Sequence, residues 1–385
     1  MRKFIYLLLI ILINQLLVFS SPQTLYDQVY KIVDDNYFDV TSANDNYKDW
    51  QNKYDNKLKT YEDAYIAIET FIESVSDGYT RFMRPQMYDM VNQIISNEYD
   101  GYGLTLIQKR VIRIFPVKNS QAEHAGIKNN DILVKINGVS VKGKTLDEIC
   151  EMIDLISPKP LVLDIKRKGE FNTITVNRGK IVETSVVQET PFKTKIPSNI
   201  GYFRIISFSD KHVSKDFYKL MKENTDKDAY IIDLRDNGGG IVKYAAEVAN
   251  MLLQNKVIFT MLYPKGEKQK FDANEHILTD KPIVLLINSG SASASEILAG
   301  ALQENGRAII VGEKSFGKGI MQKRYDLEND CGITVTVCKY LTPKNNYIHK
   351  KGIIPDEKIK HSNFDTLLHN DKQLKKALML LENKI

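Results

Sequence analysis

Beyond residue 200 the chain carries short, mainly apolar runs, Ala229 to Leu234 with Asp233 near its end, Ile283 to Ile287 and Ala308 to Val311, with none of the polar alternation of a half-exposed strand. Runs of this length and composition read as strands buried on both faces. The first is followed by the loop Gly238-Gly239-Gly240 and a helical stripe of Ile241, Val242, Ala245, Ala249, Leu252 and Leu253. The second is followed by Ser289 to Ser293 and a helix over Ala294 to Glu304. Repeated strand-loop-helix units require a largely parallel sheet with helices on its faces, and place the chemically active loops at the carboxyl ends of the strands.

The 385 residues, 43% hydrophobic and 26% charged, suffice for two or three cores. The net charge of +5 is dispersed, with no block of like charges, so the lysines read as solvated surface and a nucleic-acid partner is not expected. At the start, Met1-Arg2-Lys3 precede an apolar run from Phe4 to Ile13, then Leu16 to Phe19, Ser20 and Ser21. Residues 1–20 therefore read as a signal peptide or an N-terminal anchor. Either exports the remainder to the periplasm or cell envelope, with membrane contact confined to this segment. Cys150, Cys331 and Cys338 have neither metal-ligand spacing nor an even-numbered disulfide pattern, and read as unpaired packing residues.

Helical spacing of Leu25, Val29, Ile32 and Val33, and of Ala64, Ile68, Phe71, Ile72 and Val75 behind a Thr60 cap, makes residues 21–96 a small helical region. From 97 to 182 the pattern turns to short strands, Leu104 to Gln108, Val111 to Val117, Ile132 to Ile136, Leu161 to Lys166 and Phe171 to Val176, with one helix from about Leu146 to Leu155. This β-rich unit resembles a PDZ domain. Gly101-Tyr102-Gly103-Leu104 look like its carboxylate-binding loop and the start of its peptide-binding strand, supported by Ala125-Gly126-Ile127 and Asp131 to Gly138. Asn130 stands where many such domains have glycine. The resemblance implies that backbone N–H groups bind a peptide's terminal carboxylate while an open strand edge takes the peptide as an added strand.

The richest stretch runs from Asn288 to Gly300. Six small residues between a buried strand and a helix expose a serine at a helix amino end, where unpaired N–H groups favour developing negative charge. Helix capping alone is the plainer reading of such a serine, but three alternating serines exceed it. Serine needs a base, and no histidine stands in a recognisable motif. Lys318, between Gly317 and Gly319, follows the next strand of the same sheet. To accept a proton near neutrality its pKa must fall by about three units, or about 4 kcal/mol, which desolvation supplies; Lys318 should be enclosed, with no carboxylate in contact. Gly312 to Lys318 also fits a phosphate-binding loop, but Gly319 replaces the required hydroxyl and the following residues read as strand.

Ile232 to Gly240, Ser291 to Leu298 and Phe316 to Gln322 together resemble the three core motifs of the carboxyl-terminal processing peptidases, or tail-specific proteases. Thr342-Pro343 and Gly352 to Asp356 are similar to that family's closing stretch. The resemblance implies an α/β fold: a helical region, a PDZ-like domain, a spiral crotonase- or ClpP-like protease core over residues 183–360, and a helical tail at 361–385. It implies Ser293 as nucleophile, Lys318 as base and Gln322 as the residue orienting the lysine, with Ala294 and Gly238 or Gly239 supplying the oxyanion hole. Glu304 stands where some members have aspartate. No cofactor or metal is implied; the partners are proteins or peptides with free carboxyl termini. A non-catalytic PDZ scaffold or chaperone-like binder is the alternative, but it has no use for Ser293, Lys318 and Gln322 together. An acyl-CoA enzyme accounts for neither the PDZ-like unit nor export.

Overall fold

The computed structural model describes residues 21–38, 47–75, 77–96, 98–108, 111–117, 119–156, 159–182, 185–188, 190, 195–360 and 370–385. The leader at 1–20 lies outside the described residues, among which no helix is long and apolar enough to cross a membrane. Two compact units emerge. Among the described residues, one comprises those within 21–90, 261–268 and 320–340, and the other those within 91–260, 269–319 and 341–385.

In the first unit, helices α1 (Pro22–Asn36) and α2 (Tyr61–Val75) pair through the apolar stripes read from sequence. Thr60 caps α2 reciprocally: its Oγ1 accepts from Asp63 N while Asp63 Oδ2 accepts from Thr60 N. Phe82, within strand β1 (Arg81–Met83), joins the same core.

The second unit begins with β2 (Glu98–Gly101), β3 (Leu104–Gln108), β4 (Ile112–Pro116), β5 (Asp131–Ile136), α3 (Leu146–Ile156), β6 (Leu161–Arg167), β7 (Glu170–Val176) and β8 (Gly179–Val182). Strands β3-β4-β5-β6-β7 form an antiparallel sheet in that order, so β3 lies at its edge with α3 packed beside it. Ile114, Ile127, Leu133, Ile149 and Leu163 fill the core of this domain. Asn130 adopts φ 72°, the left-handed turn conformation that glycine ordinarily supplies and asparagine tolerates. Of the cysteines, Cys331 and Cys338 are buried, whereas Cys150 is exposed on α3, because that helix turns Ile149 rather than Cys150 into the core.

The parallel sheet follows: β9 (Val186–Val187), β10 (Ile200–Ile205), α4 (Val213–Glu223), β11 (Ala229–Asp233), α5 (Val242–Leu252), β12 (Ile283–Ile287), α6 (Ala294–Glu304) and β13 (Ala308–Gly312). Strands β10, β11, β12 and β13 pair in parallel in that order, and β9 adds antiparallel to β10. Every residue of β11 and β12 is buried, as their apolar runs require, and the one charged residue among them, Asp233, is paired with Arg235. The chain then returns to the first unit as the antiparallel pair β14 (Ile320–Asp326) and β15 (Gly332–Leu341), with β1 on the other side of β15. It ends in the second unit with β16 (Glu357–Lys358), parallel to β13, and α7 (Lys372–Glu382). Leu374, Ala377 and Leu381 of α7 pack on the sheet.

Candidate active site

Three loops at the carboxyl ends of β11, β12 and β13 build the site, where the parallel topology puts them. Of the four serines in the loop after β12 and the first turn of α6, Ser289 is exposed at the loop's start and the other three meet three different environments. The Ser291 hydroxyl donates to Leu234 O at 2.7 Å and the Ser295 hydroxyl to Asn237 O at 2.9 Å, and both residues are fully buried. Only Ser293 is partly exposed. It stands before α6 with φ 55° and ψ −115°, a conformation that costs a residue with a side chain on the order of 1–3 kcal/mol and persists only when the surroundings enforce it.

The enforcement comes from the glycine loop after β11. A side chain at Gly239, where φ is +100°, would lie 2.7 Å from Ala292 O and 2.9 Å from Ser293 Cβ, so only glycine admits the serine turn this close. Asn237, fully buried and not singled out in the sequence, fastens the two loops. Its carbonyl accepts from Ala292 N as well as from Ser295 Oγ, its Nδ2 donates to Ile205 O, and its Oδ1 accepts from Gly239 N at 2.9 Å. The Gly239 amide is therefore engaged. Those of Gly238 and Ala294 have no acceptor among the described residues, and Gly238 is exposed.

The loop after β13 carries Lys318. Glu296, in the first turn of α6, is fully buried and takes four hydrogen bonds on its carboxylate. Oε2 accepts from Ser293 N and Lys318 N, each at 2.8 Å, and Oε1 accepts from Gly317 N at 2.7 Å and Ser315 Oγ at 2.5 Å. One oxygen atom thus holds the backbones of Ser293 and Lys318 within two hydrogen-bond lengths of each other. Phe316 N adds a bond to Ser291 O. From outside, residues 348–353 cradle the same loop: Ser315 N bonds Ile353 O, Lys350 N bonds Gly317 O, and Gly319 N meets His349 Nδ1 at 3.4 Å. A side chain at Gly317 or Gly319 would strike this cradle. Gly352 and Ile353, the start of the closing stretch noted in the sequence, are thereby part of the seat of the lysine loop.

Lys318 is half-buried rather than enclosed, and a carboxylate does lie against its backbone. The carboxylate is tolerable there because four donors already share its charge. The phosphate-loop alternative fails on the same bonds. The amides of Glu313, Ser315, Phe316, Gly317 and Lys318 all donate to protein acceptors, and β14 follows in place of a helix.

Gln322 stands on β14, where the pairing with β15 shifts register between Met321 and Gln322. Its Nε2 donates to Thr336 Oγ1 at 3.2 Å, and Thr336 N donates to the buried Thr80. Thr80 belongs to the turn Asp77 to Thr80, in which Asp77 Oδ1 accepts from Tyr79 N and Thr80 N. Glu304 lies at the far end of α6 from Ser293, about 16 Å along a helix of this length. There it accepts from Thr342 Oγ1, Lys344 N and Asn346 Nδ2, and so shapes the 342–346 turn.

In the β-rich domain, the carbonyl of Tyr102 accepts from Ala122 N and that of Gly103 from Val117 N. With both carbonyls directed inward, the Tyr102 and Gly103 amides have no acceptor among the described residues, and Tyr102 is anchored through its hydroxyl to Lys159 O. Leu104 begins the edge strand β3. Among the described residues this is a loop of free donors beside an unfilled strand edge.

The model of peptidase family S41 matches residues 199–359, and that of the PDZ domain residues 116–167. The carboxyl-terminal-processing protease of Synechocystis is 34% identical over 351 residues, covering 89% of this chain and 82% of that protein. The carboxy-terminal processing protease CtpA of Bacillus subtilis is 32% identical over 330 residues, covering 83% and 69%. Among solved structures, the photosystem II D1 C-terminal processing protease superposes with a TM-score of 0.59 at 25% identity, over 94% of this chain and 97% of that one. With its glycine loop, serine elbow and lysine loop on one parallel sheet, the chain belongs to peptidase family S41 and is a PDZ-containing carboxyl-terminal processing serine protease.

Proposed function

We propose that Ser293 is the nucleophile, Lys318 its general base and Gln322 the residue that orients the lysine. The observation that carries this reading is the shared carboxylate of Glu296, which joins the backbone of a strained, partly exposed serine to that of a lysine on the neighbouring loop. Ser293 Oγ attacks the scissile carbonyl carbon as its proton passes to Lys318 Nζ. The oxyanion is received by the Ala294 amide, at the head of α6, and by the Gly238 amide, both of which lack acceptors among the described residues. Lys318 then protonates the leaving amine, and water repeats the cycle on the acyl-enzyme. Bound peptide, by excluding water from the half-buried lysine, lowers its pKa toward neutrality.

The PDZ domain, at 97–182, receives the substrate's free carboxyl end. Gly101 to Leu104 bind the terminal carboxylate through the Tyr102 and Gly103 amides, and β3 takes the preceding residues as an added strand. Residues 1–20 export the enzyme to the periplasm or cell envelope, as a cleaved signal or as an anchor.

Ser293→Ala should abolish cleavage and Lys318→Ala should nearly do so, with thermal unfolding unchanged; a serine variant that retains turnover removes the assignment. An unstructured protein with an apolar free carboxyl terminus should be cut faster than the same protein carrying a charged terminal extension. Equal rates remove tail recognition.

A further inference from the structure

The loop from Leu234 to Ile241 belongs to no helix or strand, and it holds Asp236 at φ 62°, Gly239 at φ 100° and Gly240 at φ 141°. Backbone in such sparsely populated regions keeps its shape only when clamped from several sides. Two clamps hold it from the sides: Ile205 and Phe208 on one flank, through Asn237, Gly239 and Ile241, and Asn288, Ala292 and Ser295 on the other, through Asp236 and Asn237. A third comes from behind. Arg235, only 6% exposed, directs its guanidinium away from the loop, with Nε and Nη2 on Asp233 and Nη1 on Asp371 Oδ1 at 2.9 Å and Gln373 Oε1 at 3.2 Å. Tyr202 completes the cluster by donating to Asp233 Oδ2 at 2.7 Å.

Asp371 lies 136 residues beyond Arg235 and is fully buried. It caps α7, accepting from Leu374 N at 2.9 Å, and α7 is fixed in turn by Leu374, Ala377 and Leu381 on the sheet. Helix docking alone does not account for this carboxylate. Its Oδ2 is buried without a hydrogen-bond partner among the described residues, and a cluster of two carboxylates and one guanidinium is a poorer source of stability than apolar packing of the same size. What the cluster supplies is direction, because a planar guanidinium held at both ends fixes the backbone that bears it. That backbone is two residues from Asn237 and three from the Gly238 amide.

We infer that Asp371 is a positioning residue for catalysis, holding the oxyanion loop in register with Ser293 through Arg235. This rests on the assignment of Gly238 and Ala294 to the oxyanion. Asp371→Asn keeps a helix-capping oxygen and removes the charge facing Arg235. It should lower kcat by about 10-fold to 100-fold, below the full loss of one oxyanion donor, with KM changed by less than about twofold. Inhibition by a peptide aldehyde, whose hemiacetal oxygen occupies the oxyanion site, should weaken by the same factor as kcat/KM. A purely structural role lowers the unfolding temperature but does not couple those two quantities. Gln373→Met, which removes the second acceptor of Nη1 and leaves the cap, should give a smaller parallel shift and carries the test if the aspartate variant does not fold. Unchanged kcat, or reduced kcat with unchanged aldehyde affinity, overturns the inference. Asn237→Ala separates the two readings. If it too keeps full kcat, the loop is not catalytic and both fall; if it loses activity while the Asp371 and Gln373 variants do not, only the role of Asp371 falls.

Discussion

Replacing Glu296 by glutamine changes one buried atom and tests whether the Ser293 and Lys318 loops depend on a single carboxylate. The native group accepts four hydrogen bonds, two on each oxygen. Glutamine offers one oxygen and one NH2. With the NH2 on the Oε2 side, the amides of Ser293 and Lys318 both lose their acceptor. With the NH2 on the Oε1 side, the Ser315 hydroxyl can rotate to accept but Gly317 N–H cannot, so one amide is orphaned. Each orphaned buried donor costs about 1–3 kcal/mol, and the surviving bonds lose the strengthening of a charged acceptor. The smaller total, about 3 kcal/mol, is relieved if the Gly317-Lys318 segment moves off α6. A shift of that size lowers the population with both loops in register by about 10²-fold. We expect kcat for an unstructured protein substrate to fall by that order, with peptide affinity at the PDZ domain unchanged. Stopped assays at saturating substrate and fluorescence anisotropy with an inactive background measure the two separately. Glutamine retaining kcat within threefold, at an unchanged denaturation midpoint, would refute the tie.

In the PDZ domain, Gly103→Ala places a methyl group 2.1 Å from Ser120 Cβ at φ +75°, so tail peptides should bind at least about 10-fold more weakly; anisotropy on the Ser293→Ala protein reads this out. Asp131 pairs with Arg167 at 2.6 Å. Burial raises its pKa, but the Arg167 bonds and the Lys128 amide outweigh burial and hold it below the usual value. A depressed folded-state pKa contributes stability that is present above the unfolded value and lost as pH falls through the folded one. The stability gap between the wild type and Asp131→Asn, followed by urea unfolding, should therefore close below about pH 4. Burial pushes the Cys338 thiol up to about 11 and raises that of Cys331, while Cys150 is exposed. Ellman's reagent at pH 8 should react rapidly with one thiol and reach the other two only after unfolding.

The serine, the lysine and the glycine loop were legible because their chemistry needs small residues in clusters, and clusters survive in one dimension. Which serine to propose as the nucleophile is not a matter of spacing. Ser291, Ser293 and Ser295 alternate, and only the folded loop spends the outer two on Leu234 O and Asn237 O. Glu296 was visible as the third residue after a helix-capping serine, a pattern that accounts for one of its four donors. The other three come from residues 315–318, whose approach depends on β12 and β13 being neighbours. Asp371 had no local signature, since its partner is 136 residues away. Strand β1 was missed because three residues carry no period.

The register of the sheet shows why one short carboxylate suffices to join Ser293 and Lys318, the proposed nucleophile and base. In the pairing of β12 with β13, Ile287 lies opposite Gly312, on backbones about 4.8 Å apart. Ser293 stands six residues beyond Ile287, and Lys318 six beyond Gly312, so the two loops leave the sheet at one level and reach these two residues after equal lengths of chain. Two cross-ties keep the arms in step along the way, Glu313 N to Ile287 O at the base and Phe316 N to Ser291 O midway, before Glu296 Oε2 closes them at the end. The small residues of one arm and the glycines of the other are what permit backbones this close. Approach of Ser293 and Lys318 is thus set by parallel register and backbone hydrogen bonds, which leaves the lysine amine free of any need to be charged in order to be placed. On the assignment proposed above, a base that must be neutral to act is brought to its nucleophile by that scaffold, and Gln322 has only to orient its amine.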